Sequence, residues 1–203
     1  AQVVGMGKAT AESLPQAMEL FERANEVLGY DLREICFAGP EEQLHATEHS
    51  QPALFVSSMA ALEKLRYEDL DQLDNCTIAA GLSLGEYSAL CFAGVVSFED
   101  GLRIVRQRGQ AMQQAADSKP GTMVAILGLE REQVSDLVDQ SRGEDVLEIA
   151  NLLCPKNIVC SGDTLACERL KAAAEQVGAM KVIPLTVAGA FHTSRMQPAV
   201  VQL

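Results

Sequence analysis

Apolar residues recur at helical spacing over residues 11–28 (AESLPQAMELFERANEVL), and Gly29 marks a stop. The same spacing predicts a second helix over 52–66 (PALFVSSMAALEKLR), with Pro52 at the first helical position and Gln51 just before it. Residues 76–80 (CTIAA) are a short apolar run that reads as a buried strand. GLSLG follows, then an apolar helix to about Ala93 that Gly94 breaks. Ser97 and Asp100 have the spacing of a capping box and open a helix to about Ala116.

KPG at 119–121 marks a boundary, and the pattern changes beyond it. TMVAILGL reads as a strand, EREQVSDLVDQS as a helix, and VLEIANLL and NIVCSG as strands. TLACERLKAAAEQVG then reads as a helix and AMKVIPLTV as a strand. This β-α-β-β-α-β order is ferredoxin-like and predicts a small subdomain at 119–187, inserted into a larger α/β domain made of 1–118 and 188–203.

Composition narrows the classes. With 203 residues, 48% hydrophobic and 22% charged, the chain can bury a core and is not of disordered composition. A net charge of −12 argues against a nucleic-acid partner, which calls for a basic face. No apolar run reaches the length of a membrane span, so no membrane association is expected. Cys36, Cys76, Cys91, Cys154, Cys160 and Cys167 form no C-x-x-C pair; they read as reduced thiols of an intracellular protein with neither disulfides nor a metal site. Residues 1–75 carry 5 basic and 14 acidic side chains, the rest 11 and 14, so an anionic ligand should meet the second part. Both ends read as cut: AQVVGMGKAT enters a helix with no lead-in, and MQPAVVQL stops inside one. The expectation is a fragment or a processed form.

Gly81-Leu82-Ser83-Leu84-Gly85 matches G-x-S-x-G between a predicted strand and a predicted helix, the setting of a nucleophile elbow. Glycines permit the sharp turn and a close backbone approach. Ser83 then stands at a helix N-terminus, where free N–H groups favour developing negative charge, and the Leu84 N–H is the natural first oxyanion donor. The competing reading is a glycine-rich turn with a capping serine. A serine hydroxyl needs a base. His45 and His49 lie in the polar stretch EEQLHATEHS and read as solvated loop residues. His192, in VAGAFHTS after the last apolar strand, is the candidate base, with a plain loop histidine as the alternative. The fold class expected is α/β: a large α/β-hydrolase-like domain with a parallel sheet, plus the inserted subdomain.

On a wheel of about 100° per residue, Leu102, Ile104, Val105, Gly109, Ala111, Met112, Ala115 and Ala116 share one half of the 99–116 helix. Arg103 and Arg106 lie on the other half. Arg108 breaks the rule and falls within the apolar arc, near Ile104 and Met112. A buried guanidinium keeps its charge and needs an anion. That anion is either a core carboxylate or a substrate carboxylate held in a bidentate pair; snorkelling past the apolar rim is a further possibility.

Taken together, GLSLGEYSAL, RQRGQAMQ and AGAFHTSRMQPA, with QPALF at 51–55 and the leading AQVVGMG, resemble malonyl-CoA:acyl carrier protein transacylases over the whole chain. Leu82 and the run ANLLCP look most like the plastid-type members, which implies a soluble protein of the plastid stroma or another intracellular compartment. The resemblance implies that Ser83 takes the malonyl group as an ester, that His192 serves as base and then acid, and that Arg108 holds the malonyl carboxylate. It implies that Gln51 lies near the acyl pocket and that Phe191 favours malonyl over branched units; Met112, beside Arg108 on its arc, joins the substrate-binding set. The partners implied are malonyl-CoA and acyl carrier protein, with no cofactor and a monomeric chain. Two departures stand out. Leu82 replaces a histidine common in bacterial members, and the opening P-G-Q-G-x-Q of the family is met only from Gln2, its second glutamine, so a second oxyanion donor is missing. The family chain also continues past Leu203, where the group that orients the histidine lies.

Two other readings remain at this level. A serine hydrolase would need an acid between Ser83 and His192, and Asp136, Asp139 and Asp145 are the candidates. A non-catalytic carrier-docking module would form no adduct on Ser83. Lys156, Lys171, Lys181 and Arg195 are scattered candidates for contact with an acidic carrier.

Overall fold

A computed structural model describes residues 2–203. The chain divides into two compact units, one running up to Gln110 and one covering Ala111–Leu203.

The first unit is helical. It holds α1 (Lys8–Ser13), α2 (Pro15–Leu28), α3 (Leu32–Ala38), α4 (Glu41–His45), α5 (Thr47–Glu68), α6 (Leu70–Asp74), α7 (Gly85–Phe92) and the first part of α8 (Phe98–Ser118). The helix expected over 11–28 is two helices. Leu14 is extended (φ −143°, ψ 117°) and Pro15 opens α2, because the residue before proline disfavours the helical region. Gly29 ends α2 in the left-handed conformation, with its N–H on the Asn25 carbonyl. The second helix begins five residues earlier than expected, so Pro52 sits inside α5 instead of opening it. Burial explains the extension: Thr47, Ser50 and Gln51 are all buried, and this tertiary packing offsets the backbone hydrogen bond that proline removes. Ser97 accepts from the Asp100 N–H (3.1 Å) and caps α8 as expected.

The core of this unit gathers Leu20, Phe21 and Ala24 of α2, Phe55 and Val56 of α5, and Phe98, Leu102 and Val105 of α8. Phe55 stacks on Phe98 with centroids 5.7 Å apart, and Arg23 lies over the Phe98 ring while pairing with Glu99. Gly109 sets how closely α8 meets the start of α5. A Cβ on Gly109 would fall 2.8 Å from the Thr47 carbonyl oxygen and 3.1 Å from the Glu48 Cα. Only glycine lets α8 press this closely onto the backbone at the start of α5.

Residues 76–80 are not a strand. A parallel strand must pair with neighbours, and among the described residues none pairs with this run; Ile78 is 84% exposed. The parallel sheet expected for a large domain is therefore not found among the described residues. The two histidines expected in a solvated loop are also helical. His45 ends α4 beside Glu41, and His49 lies on α5 with its ring 5.1 Å from Tyr30.

The second unit contains β1 (Gly121–Leu127), α9 (Arg131–Arg142), β2 (Leu147–Cys154), β3 (Asn157–Asp163), α10 (Thr164–Gln176), β4 (Lys181–Pro184) and α11 (Gln197–Val200). The strands form one antiparallel sheet in the order β2-β3-β1-β4. Alternation along β1 separates its faces: Val124 and Ile126 pack with Val134, Leu137, Leu170 and Ala174 of the helices. Met123 and Ala125 face the other way, against Val159, Ile183, Leu185 and Phe191. Both faces are thus covered, which is why β1 and β3 read as continuous apolar runs rather than alternating ones. Among the described residues no helix is long and apolar enough to cross a membrane.

One buried carboxylate ties the sheet's end together. Asp163 closes β3 with its side chain 6% exposed. It accepts two bonds from Arg195 (2.8 and 2.6 Å), one from Lys119 (3.0 Å) and one from the Val146 N–H (3.1 Å). These donors, the Arg195 pair first, hold its pKa far below the ordinary carboxylate value. A group whose pKa is depressed on folding contributes stability above the unfolded pKa and loses it as pH falls through and below that value. Thermal unfolding followed from about pH 5 down to about pH 2 should therefore show a steep loss in the wild type and a flatter profile in Asp163→Asn. Parallel profiles would assign the acid sensitivity to other groups.

Candidate active site

Ser83 occupies the tight turn that enters α7. Its φ is +53°, in the left-handed region that residues with a Cβ seldom adopt, as a nucleophile elbow requires. Gly81 makes the turn possible: a Cβ there would collide with the Gly85 carbonyl group. Gly85 itself faces open space, so the steric demand falls on the first glycine of the motif and not equally on both. Turn bonds from Gly85 N–H to Leu82 O (2.9 Å), Glu86 N–H to Ser83 O (3.3 Å) and Tyr87 N–H to Leu84 O (3.0 Å) start the helix. Leu84 is the N-cap, and its side chain packs on the helical core.

Arg108 is brought to this turn. Its Nη2 donates to Ser83 Oγ at 3.0 Å and its Nη1 donates to Gln51 Oε1 at 2.6 Å. Gln51 is 6% exposed on α5, opposite Arg108 because Gly109 permits the close α5–α8 approach. The guanidinium carbon lies 5.6 Å from the Tyr87 ring centroid, in cation–π range. Burial lowers the Arg108 pKa, opposed by Tyr87 and, more weakly, by Glu86; a guanidinium nevertheless stays charged. Its hydrogen-bond acceptors Ser83 and Gln51 are neutral, and among the described residues no carboxylate forms an ion pair with it. The core salt bridge weighed as an alternative is not the arrangement found. Arg103, by contrast, is exposed and paired with Asp100 at 2.7 Å.

In the second unit, His192 lies in the loop after β4, exposed and with φ +61°. Phe191 before it is half-buried and packs against Met112, Met196 and Ala199 on one side and the sheet face on the other. Met112 is 7% exposed in that cluster, one turn along α8 from Arg108. Thr193 after it donates its hydroxyl to Ala190 O at 2.7 Å.

Several other expectations are settled locally. Asp139 pairs with Arg142 and Asp145 with Arg169, while Asp136 is exposed on α9. Of the scattered cations, Lys156 pairs with Glu130 at 3.0 Å and Arg195 with Asp163. All six cysteines are free; burial pushes the Cys36 and Cys160 thiols up to about 12 and the Cys167 thiol up to about 11, so these are packing residues and not nucleophiles. Among the described residues no group of three or more His, Cys, Asp or Glu could hold a metal ion. Sequence reasoning missed Tyr87. Its signal was its place in the first turn of the helix that the G-x-S-x-G motif opens.

The chain as a whole has counterparts in known proteins. The family described as Acyl transferase domain matches residues 1–203. The chain is 40% identical over 207 residues to the mitochondrial malonyl-CoA-acyl carrier protein transacylase of Mus musculus, covering 98% of this chain and 54% of that protein. It is 40% identical over 203 residues to the malonyl CoA-acyl carrier protein transacylase of Bacillus subtilis (strain 168), covering 100% of this chain and 63% of that one. It also aligns, at a TM-score of 0.89 and 34% identity, with a malonyl-transacylase solved in complex with its type II PKS acyl-carrier protein, covering 99% of this chain and 63% of the other. The chain thus spans between about half and two thirds of the length of these relatives. With the serine turn, the α5–α8 contact and the sheet unit all falling inside that match, the chain belongs to the acyl transferase domain family.

Proposed function

We propose that this chain transfers a malonyl group from malonyl-CoA to the phosphopantetheine thiol of acyl carrier protein through an ester on Ser83. The observation that carries the reading is the bond from Arg108 to Ser83 Oγ: a charge-bearing group with neutral partners, one hydrogen bond from a strained serine. A malonyl thioester offers both halves that such a pair can use, an electrophilic carbonyl for the hydroxyl and a carboxylate for the guanidinium.

In this scheme Ser83 Oγ attacks the thioester carbon while its proton passes to His192. The oxyanion is met by the Leu84 N–H at the α7 N-terminus. Collapse breaks the C–S bond, and the CoA thiolate leaves with the proton returned by His192. The carrier thiol then repeats the sequence in reverse roles: His192 takes its proton, sulfur attacks the ester, and Ser83 leaves as the hydroxyl. Arg108 holds the carboxylate throughout, with Gln51 and Tyr87 fixing the guanidinium; Met112 and Phe191 are further assigned to substrate binding. The names of the relatives support malonyl-CoA and acyl carrier protein as substrates. The serine hydrolase reading lacks a free acid: two of its three candidate aspartates are held in ion pairs and the third is exposed on a helix.

The domain reading accompanies the function. Residues 119–187 are assigned as an inserted ferredoxin-like subdomain, supported by the all-antiparallel order β2-β3-β1-β4. Residues 1–118 and 188–203 are assigned to a large α/β-hydrolase-like domain, for which the turn that carries Ser83 into α7 is the local support. A monomer in the plastid stroma completes the assignment, on Leu82 and the run ANLLCP; relatives include a mitochondrial and a bacterial protein.

Incubation with malonyl-CoA followed by intact-mass measurement should give one malonyl adduct on the wild type and none on Ser83→Ala. An adduct on that variant would move the nucleophile elsewhere, and malonyl-CoA consumed without an acceptor would favour the hydrolase. His192→Ala should slow acylation by about 10²–10⁴-fold, the contribution of a positioned base; an unchanged rate at neutral pH would remove His192 from the mechanism.

Arg108→Ala should lose malonyl transfer and leave acetyl transfer much less affected. A charged hydrogen bond is worth about 1.5–3 kcal/mol, so the malonyl-to-acetyl preference should fall about tenfold or more. Arg103→Ala, already committed to Asp100, should leave the preference unchanged. Equal losses for both substrates together with a lower melting temperature would make Arg108 a packing residue.

A further inference from the structure

The segment around His192 is tied down at nearly every step, and the ties come from the antiparallel sheet. Ser194, two residues on, donates both its N–H (3.1 Å) and its hydroxyl (2.8 Å) to Glu148 of β2. Arg195, three residues on, forks onto Asp163 at the end of β3, with Nε on one oxygen at 2.8 Å and Nη2 on the other at 2.6 Å. Thr193 bonds back to Ala190 and accepts from the Arg195 N–H at 3.2 Å. Asp163 is itself fixed by Lys119 and the Val146 N–H. Within this frame His192 adopts φ +61°, a backbone state that a residue with a Cβ holds only when its surroundings impose it.

We propose that the Asp163–Arg195 fork, seconded by Glu148–Ser194, is the device that positions His192, so that the sheet unit serves the chemistry as an anchor for the base. The proposal rests on the assignment of His192 as that base. The physical reason is directional. A planar guanidinium gripping a carboxylate through two parallel bonds fixes orientation as well as distance. The carboxylate is buried and rigidly held, so the loop takes its coordinates from the sheet and not from solvent-exposed contacts. Groups that hold a reacting side chain in place need such support, because a displacement of about 1 Å can cost about 10²-fold in rate. Arg195 and Asp163 touch no reacting atom in this scheme; they act through His192.

The test uses the acylation half-reaction alone, Ser83 with malonyl-CoA and no carrier protein, in single turnover. Arg195→Gln leaves Asp163 its bonds from Lys119 and Val146. It should slow acylation by about 10- to 10²-fold with KM for malonyl-CoA little changed. Arg195→Lys, which restores the charge but not the fork, should recover part of that loss. In a His192→Ala background Arg195→Gln should add less than about a twofold loss, because a residue acting only through His192 has nothing left to position. Glu148→Ala should slow acylation in the same direction by about three- to tenfold, and it decides the matter if Arg195→Gln does not fold. A wild-type rate in Arg195→Gln would overturn the proposal. So would a full additive loss in the His192→Ala background, which marks a structural role, or a raised KM, which marks a CoA contact. If His192→Ala acylates at the wild-type rate, the base assignment has failed rather than its positioning.

Discussion

A half-buried guanidinium has to be given hydrogen bonds without being given a counter-charge; that constraint organises the helical unit. Arg108 cannot shed its proton, so its burial is tolerable only with acceptors in place. The chain supplies neutral ones, the Gln51 amide and the Ser83 hydroxyl, and an aromatic face in Tyr87. Each depends on a backbone feature elsewhere. Gln51 reaches the site because Gly109 has no Cβ to hold α5 away from α8. Ser83 reaches it because Gly81 lets the turn fold back on the Gly85 carbonyl. Tyr87 reaches it because it stands in the first turn of α7, just past the Ser83 turn. Replacing Gln51 or Ser83 with a carboxylate would stabilise the cation, and would also neutralise the charge that an anionic acyl group needs.

The sheet unit solves a different problem. Its strands bury both faces, one under α9 and α10 and the other under the segment that runs from β4 to Phe191. Covering the second face obliges that segment to lie flat along the sheet. Its polar groups then need partners at the sheet's end, and Asp163 and Glu148 provide them. Packing and polar satisfaction therefore act on the same few residues. A loop that would otherwise be free on the surface is held between an apolar anchor at Phe191 and an ionic one at Arg195.

Features that depend on near neighbours in sequence were legible, and features that depend on distant partners were not. The Ser97–Asp100 cap, the Gly29 stop and the succession of elements from β1 to β4 rest on local spacing, and they stand where the pattern puts them. The inward placement of Arg108 was visible because an amphipathic helix makes a misplaced charge conspicuous. Pro52 misled because burial of Thr47, Ser50 and Gln51 carried α5 past the usual proline position. Residues 76–80 misled because an apolar run has strand character only when another strand pairs with it. His45 and His49 sit among polar residues, yet α4 and α5 take them in. Asp163 falls between a predicted strand and a predicted helix and drew no reading; its main partner is 32 residues away, a separation no local pattern reports.

The charge distribution bears on the same site. Residues 1–75 carry most of the net negative charge, so under the proposed reading a polyanionic substrate approaches against that field and relies on short-range contacts. A cation in water would be of little use for this, since solvent and salt would screen it. Placed in a half-buried position, with its hydrogen bonds already directed at Ser83 and Gln51, the same cation acts in a medium where each charge counts for more. The distance of 3.0 Å between Arg108 Nη2 and Ser83 Oγ also sets a scale. Under the proposed reading, an acyl group with one carbon between its carbonyl and its carboxylate presents the first to the hydroxyl and the second to the guanidinium. A longer diacid must fold back on itself, and a simple acyl group leaves the guanidinium with only neutral partners. Under the proposed reading, selection between acyl groups and attack on them are therefore matters of the same few ångströms, fixed by two glycines that let the backbones meet.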